Sequence, residues 1–150
     1  MSRGATLATA ESLTGGRLAS RVTTIAGASR VYLGGVVSYA TAVKQDLLDV
    51  PDAVVARHGV VSAECARAMA QGVRALLGAD WAISTTGVAG PEEQEGKPPG
   101  TVFVGVAGPA GVSSLALELA GDRTEVQERT CDEAIGALGG ILRGEEGGLR

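Results

Sequence analysis

Aromatic side chains are scarce in this chain: one Trp, two Tyr and one Phe make up 3% of 150 residues. A core built without them has to pack Val, Leu, Ile and Ala closely. Histidine occurs once, at His58, and cysteine twice, at Cys65 and Cys131. That supply is too thin and too scattered for a zinc or iron site. Two isolated cysteines in helical patterns read as reduced core residues rather than a bridge. No apolar run approaches the ~20 residues needed to cross a bilayer, and no basic-then-apolar leader is present. The expectation is a soluble, cytoplasmic protein with no membrane partner. A net charge of −4 argues against a nucleic-acid surface. Lysine is also rare, with Lys44 and Lys97 standing against 11 Arg. Arginine serves wherever a solvated positive charge is enough, so the two lysines mark places where an amine able to lose its proton is needed, or else are remnants of an Arg-favouring codon usage.

Glycine, by contrast, is abundant at 23 residues, roughly double average usage, which implies many turns and close backbone approaches. With 45% apolar and 20% charged residues the chain is globular, and residues 1–150 read as one domain with no repeat or linker.

A short apolar run from Thr6 ends in Glu11-Ser12-Leu13-Thr14-Gly15-Gly16, after which a helical pattern covers 16–26, with Leu18, Val22 and Ile25 on one face. Gly34 to Tyr39 reads as a second strand, followed by a short helix over 42–48 carrying Lys44 and another over 52–57. His58-Gly59 closes that helix, with Gly59 at a left-handed position. Ser62 is an N-cap for a helix over 63–77, whose stripe of Cys65, Met69, Val73 and Leu76 is core. A third strand spans 80–86. The Gly- and Pro-rich stretch 86–100 then sits at a strand's carboxyl end, where open α/β sheets bind ligands. Its acidic part, Glu92 to Glu95, reads as a solvated loop. Strands over 101–107 and 112–119 form a hairpin. Asp122 with Glu125 makes a capping box for a last helix reaching about Leu142, and 143–150 reads as a frayed tail. This order argues for a three-layer α/β/α sandwich with a mostly parallel sheet and an antiparallel edge hairpin. The hairpin edge and exposed glycines are compatible with a homodimer.

Ser12 falls where the opening strand bends into its helix, beside backbone N–H groups of the first turn. A hydroxyl there suits an attacking nucleophile with an oxyanion pocket, a phosphate cradle, or an ordinary helix cap. As the only imidazole, His58 is the only candidate for a Ser-His-Asp triad, although a capping or surface role is the preferred reading.

Six motifs occur in an order that is collectively specific. They are Ala10-Glu11-Ser12-Leu13-Thr14-Gly15-Gly16, Val37-Ser38-Tyr39 with Lys44, His58-Gly59-Val60-Val61-Ser62, Gly87-Val88-Ala89-Gly90-Pro91, Lys97-Pro98-Pro99-Gly100-Thr101-Val102 and Gly121-Asp122-Arg123. Together they resemble the CinA C-terminal domain family, whose stand-alone members are nicotinamide-nucleotide amidases. The likeness covers nearly the whole chain. It implies an α/β/α sandwich and hydrolysis of nicotinamide mononucleotide to nicotinic acid mononucleotide and ammonia, with no metal or cofactor. It also implies Ser12 as nucleophile with Lys44 and Tyr39 as activating partners. Leu13 stands where the family often has Cys, and the loop 91–96 is more acidic than the family pattern.

Residue chemistry points the same way. A serine hydroxyl does not attack an amide unaided, and a neutral lysine is the natural base once His58 is set aside. Poising lysine near neutrality from a reference of about 10.4 needs burial, which the apolar Val36-Val37 strand would supply. The amides of Thr14 and Gly15 are the candidate oxyanion donors. The nucleotide phosphate is then expected on the loop from Thr86 through Gly87 to Gly90, helped by Lys97 or Arg123, rather than at Gly15-Gly16. The competing class is a nucleotide-binding module without turnover.

Overall fold

The computed structural model describes residues 4–144; the expected frayed tail lies, from residue 145 on, outside the described residues. Five strands form one sheet: β1 (Leu7–Glu11), β2 (Tyr32–Val37), β3 (Trp81–Gly87), β4 (Thr101–Gly108) and β5 (Gly111–Glu118). Their order is β2-β1-β3-β4-β5. Strands β2, β1 and β3 run parallel, and the β4–β5 hairpin is added antiparallel to β3, so the expected mixed sheet is the one observed. The helices are α1 (Arg17–Thr23), α2 (Thr41–Asp46), α3 (Asp52–His58), α4 (Ala63–Leu77) and α5 (Arg123–Leu142).

Side chains alternate across β1. Leu7 joins a core layer with Leu18 and Val22 of α1 and Val126, Cys131, Ala134 and Leu138 of α5. Ala8 and Ala10 face the opposite layer, with Cys65, Met69, Ala70 and Val73 of α4. Helices therefore cover both faces. The α4 layer is built from small residues, as the shortage of aromatics requires. A Cβ on Gly105 of β4 would lie 2.3 Å from the Ala66 carbonyl oxygen, and one on Gly72 would lie 1.9 Å from that of Leu48. Helix α4 thus touches both the sheet and the segment that ends α2.

Several element limits differ from the sequence expectation. Strand β2 covers Tyr32–Val37 rather than 34–39, because Gly34 and Gly35 lie inside it. A side chain at Gly35 would strike the Thr9 hydroxyl at 2.3 Å, so glycine serves close strand approach here instead of flanking the strand. Helix α1 stops at Thr23, three residues short, and is followed by the Thr23 and Thr24 hydroxyls bonding back to the Ser20 and Arg21 carbonyls. At Gly59, φ is 75° and ψ is 179°, a conformation nearly confined to glycine but not the left-handed helical one expected. The limits of α4, its Ser62 cap and the Asp122–Glu125 capping box agree with expectation. Among the described residues, no helix is long and apolar enough to cross a membrane.

Strand β2 lies on one side of β1 and β3 on the other, with α1 and α4 on opposite faces. The carboxyl ends of β1 and β3 therefore flank the point where the strand order reverses, the crevice such sheets offer to ligands.

Two helix glycines are expected to respond oppositely to alanine. Gly136 in α5 has open space around it, so Gly136→Ala gains helix propensity of about 1 kcal/mol and raises Tm by roughly 2–4 °C. Gly72→Ala drives a methyl into the Leu48 carbonyl and lowers stability by about 1–3 kcal/mol despite the same propensity gain. Thermal unfolding followed by circular dichroism checks both signs.

Candidate active site

The crevice opens into a cavity of about 390 Å³ lined by Ser12, Tyr39, Lys44, Val60, Val61, Thr86, Gly87, Gly90 and Arg123, and also by Glu92 and Glu93. Strand β1 delivers Ser12 to its floor, and the Ser12 amide donates to the Thr85 carbonyl of β3 at 3.0 Å. Helix α2 delivers Lys44, the largest fully buried side chain, at 1% exposure. The expected proximity of the two is observed: Lys44 Nζ lies 3.0 Å from Ser12 Oγ.

The amine has two other neighbours. Its Nζ donates to the Ser38 carbonyl at 2.6 Å and to the Tyr39 carbonyl at 3.2 Å. Carbonyl oxygens only accept, so these two fix two of the nitrogen's positions as N–H donors. The third position faces the serine hydroxyl. A neutral amine there presents its lone pair to the Ser12 proton; an ammonium presents a third N–H. Burial holds the lysine pKa below its ordinary value, and Cys65, when ionised, and Glu95 oppose the shift. The Cys65 thiol is itself pushed up to about 11 by burial, so it is uncharged near neutrality.

Tyr39 is placed differently from the expectation. Its backbone carbonyl meets Lys44, while the residue as a whole is 63% exposed and its phenol accepts from Arg123 Nη2 at 3.1 Å. A second Arg123 nitrogen donates to the Gly90 carbonyl at 2.6 Å, joining the first turn of α5 to the loop after β3.

The Gly15-Gly16 turn also departs from expectation. The first-turn amides of α1 are not open to a ligand, because the Glu11 carboxylate accepts from the amides of Gly16, Leu18 and Ala19. The Gly15 amide donates to the Ser12 carbonyl at 3.1 Å. Thr14 is fully buried, and its hydroxyl donates to Glu11 and pairs with that of Thr85. Thr14, Gly15 and Gly16 therefore do not line the cavity, although the Thr14 amide donates to no acceptor among the described residues. At the end of β3 the Thr86 hydroxyl is taken by the Val60 carbonyl at 2.6 Å, and in the loop that follows the Val88 amide is taken by the Thr101 carbonyl. The amides of Ala89 and Gly90 remain without an acceptor among the described residues.

Lys97 stays outside the cavity, 3.9 Å from Glu95. Glu95, read from sequence as part of a solvated loop, accepts from the Val60 amide at 3.0 Å and the Val61 amide at 2.8 Å. It ties the acidic loop to the wall opposite. His58 does not line the cavity either; its Nδ1 lies 3.8 Å from Glu64. Neither Glu11 nor Glu95 was marked by its sequence neighbourhood, since each acts on amides brought close only by the fold. Among the described residues no group of His, Cys, Asp and Glu is arranged to hold a metal ion.

Because the folded protein favours neutral Lys44, the unfolded chain binds the extra proton between the lowered pKa and the ordinary lysine value. Stability of the wild type relative to Lys44→Met is therefore expected to rise with pH across that window and to level off above about 10.4. Urea titrations of both proteins at several pH values check the slope; equal slopes would show an unshifted amine.

The profile described as CinA C-terminal domain matches residues 1–142. A CinA-like protein of Frankia casuarinae is 48% identical over 142 residues, which is 95% of this chain and 33% of that protein. A putative competence-damage inducible protein of Halalkalibacterium halodurans is 50% identical over 128 residues, 85% of this chain and 30% of that protein. The chain thus spans about a third of the length of these curated relatives. The crystal structure of competence damage-inducible protein A from Klebsiella pneumoniae superposes with a TM-score of 0.90 at 37% identity, covering 94% of this chain and 88% of that one. That of a competence/damage inducible protein from Agrobacterium tumefaciens gives 0.86 at 35% identity, covering 90% and 84%. With the profile matched over nearly its whole length, the chain belongs to the CinA C-terminal domain family.

Proposed function

We propose that this domain hydrolyses the carboxamide of nicotinamide mononucleotide to nicotinic acid mononucleotide and ammonia, through a Ser-Lys nucleophilic mechanism. The observation that carries the proposal is the buried Lys44 amine, held by two carbonyls with its remaining position 3.0 Å from Ser12 Oγ. Neutral Lys44 takes the hydroxyl proton as Oγ attacks the carboxamide carbon, and the carbonyl electron pair moves to oxygen. The resulting ammonium gives that proton to the leaving nitrogen, the C–N bond breaks, and ammonia departs from an acyl-serine ester. Lys44, neutral again, then removes a proton from water as water attacks the ester; on collapse the proton returns to Ser12 Oγ and the acid is released.

The oxyanion needs backbone donors in a site that excludes water. With the Gly15 amide committed to Ser12 and the fully buried Thr14 outside the cavity, the open amides of Leu13, Ala89 and Gly90, which line it, are the candidates. The phosphate is assigned to Arg123, whose guanidinium has five N–H donors and spends one on Gly90 and one on Tyr39. Lys97, paired with Glu95, is left out of that role. Tyr39 positions both groups, Lys44 through its carbonyl and Arg123 through its phenol.

Ammonia release from nicotinamide mononucleotide is expected to fall on the order of 10⁴-fold or more in Ser12→Ala and Lys44→Ala, and to persist in His58→Ala. Loss in His58→Ala alone would move the chemistry to the imidazole, and no release by wild type at any pH would leave a binding module. The kcat/KM of wild type is expected to rise with pH through a single limb set by Lys44, below the ordinary lysine pKa. Arg123→Ala is expected to raise KM for the nucleotide by about 10–100-fold, in line with hydrogen bonds to a charged group, whereas Lys97→Ala leaves it near the wild-type value.

A further inference from the structure

We infer that Glu11 is a positioning residue that holds both halves of the Ser12–Lys44 pair at once; the inference rests on the Ser-Lys reading above. Glu11 is 1% exposed. Its carboxylate accepts from the Thr14 hydroxyl at 2.6 Å and from the amides of Leu18 at 2.8 Å, Ala19 at 3.1 Å and Gly16 at 3.2 Å. A buried carboxylate is costly unless its oxygens are satisfied, and here neutral donors alone satisfy it. The donors all lie beyond Ser12 in sequence. Ser12 is therefore the residue that bridges a strand end and a turn fastened back onto that strand end.

The backbone of Glu11 reaches the base. Its carbonyl accepts from the Ser38 amide at 2.7 Å and from the Ser38 hydroxyl at 3.1 Å. The carbonyl of Ser38 in turn takes the shortest bond of Lys44 Nζ, at 2.6 Å. One residue thus sets the nucleophile's turn through its side chain and the amine's acceptor through its main chain. Alternation along β1 sends the carboxylate to the α1–α5 side of the sheet, where its charge acts on Tyr32 and Cys131. The carboxylate whose charge acts on Lys44 is that of Glu95, on the other side. The carboxylate of Glu11 bonds the α1 turn and not the amine, whose neighbours are Ser12, Ser38 and Tyr39. An ordinary N-cap would serve α1 alone; a carboxylate on the strand, ahead of the serine, serves the serine as well.

The test is Glu11→Gln, whose amide nitrogen is a donor facing donors. Two readouts are taken on protein shown to be folded by circular dichroism: amidase kinetics, and the rate at which phenylmethylsulfonyl fluoride adds one sulfonyl group at Ser12, followed by intact mass. Labelling rate and kcat are expected to fall between about tenfold and a hundredfold, as for a displaced reacting group, with KM within about twofold and the pH limb of Lys44 unmoved. Labelling at the wild-type rate, or loss confined to KM, overturns the proposal. A shifted limb overturns it too, because Glu11 would then act on the amine's charge. Should Glu11→Gln not fold, Thr14→Val removes one anchor of the carboxylate and is expected to show the same pattern at smaller amplitude; unchanged labelling and kcat overturn the proposal. A wild type that neither labels nor releases ammonia defeats the Ser-Lys reading itself, and the role of Glu11 with it.

Discussion

The site depends on one nitrogen with three neighbours. Lys44 Nζ is enclosed by two carbonyls that only accept and one hydroxyl that either donates or accepts. Water would hydrate a charged amine far better than this enclosure does, so burial favours the neutral form, the form with a lone pair. Most other parts of the domain can be understood as holding that enclosure closed. Helix α2 is six residues long and would be marginal alone. It is fixed by its packing, with the chain after it pressed onto α4 at Gly72, where no side chain separates the two backbones.

The same logic explains why the core dispenses with aromatics. Large rings between α4 and the sheet would hold the helix away, whereas Ala8, Ala10, Ala82 and Gly105 let it approach. Close approach carries α4, and the α3–α4 connection at Val60 and Val61, to the edge of the cavity where Thr86 and Glu95 bond to it. Sheet composition and site geometry are in this sense one constraint.

Much of this was legible in the residues. Strong helix periodicity with a serine before it located α4 and its cap, and an acidic pair three residues apart located the start of α5. That a lysine would serve Ser12 followed from counting the amines and imidazoles available; that it would be Lys44 came from the resemblance to the CinA C-terminal domain family. Other features were not legible, for identifiable reasons. Gly34 and Gly35 read as punctuation because glycine is poor in strands, yet Gly35 is needed where β2 meets the Thr9 side chain of β1. Glu11 gave no sign of its role because its partners are amides of a later turn, and amides carry no residue identity. Tyr39 was named as an activating partner by resemblance alone; that its carbonyl, and not its phenol, meets the amine is a distinction no sequence pattern encodes.

The tie between Glu95 and the amides of Val60 and Val61 sets the span between two rims of the cavity. That span is measured out by two methylene groups and a carboxyl. An aspartate would draw the rims together or let go, and a side chain added to Gly59 would meet the carboxylate at 2.6 Å. The aperture is thus gauged by the length of one side chain that bonds neither Ser12 nor Lys44, so its width can change during evolution while that pair stays where it is.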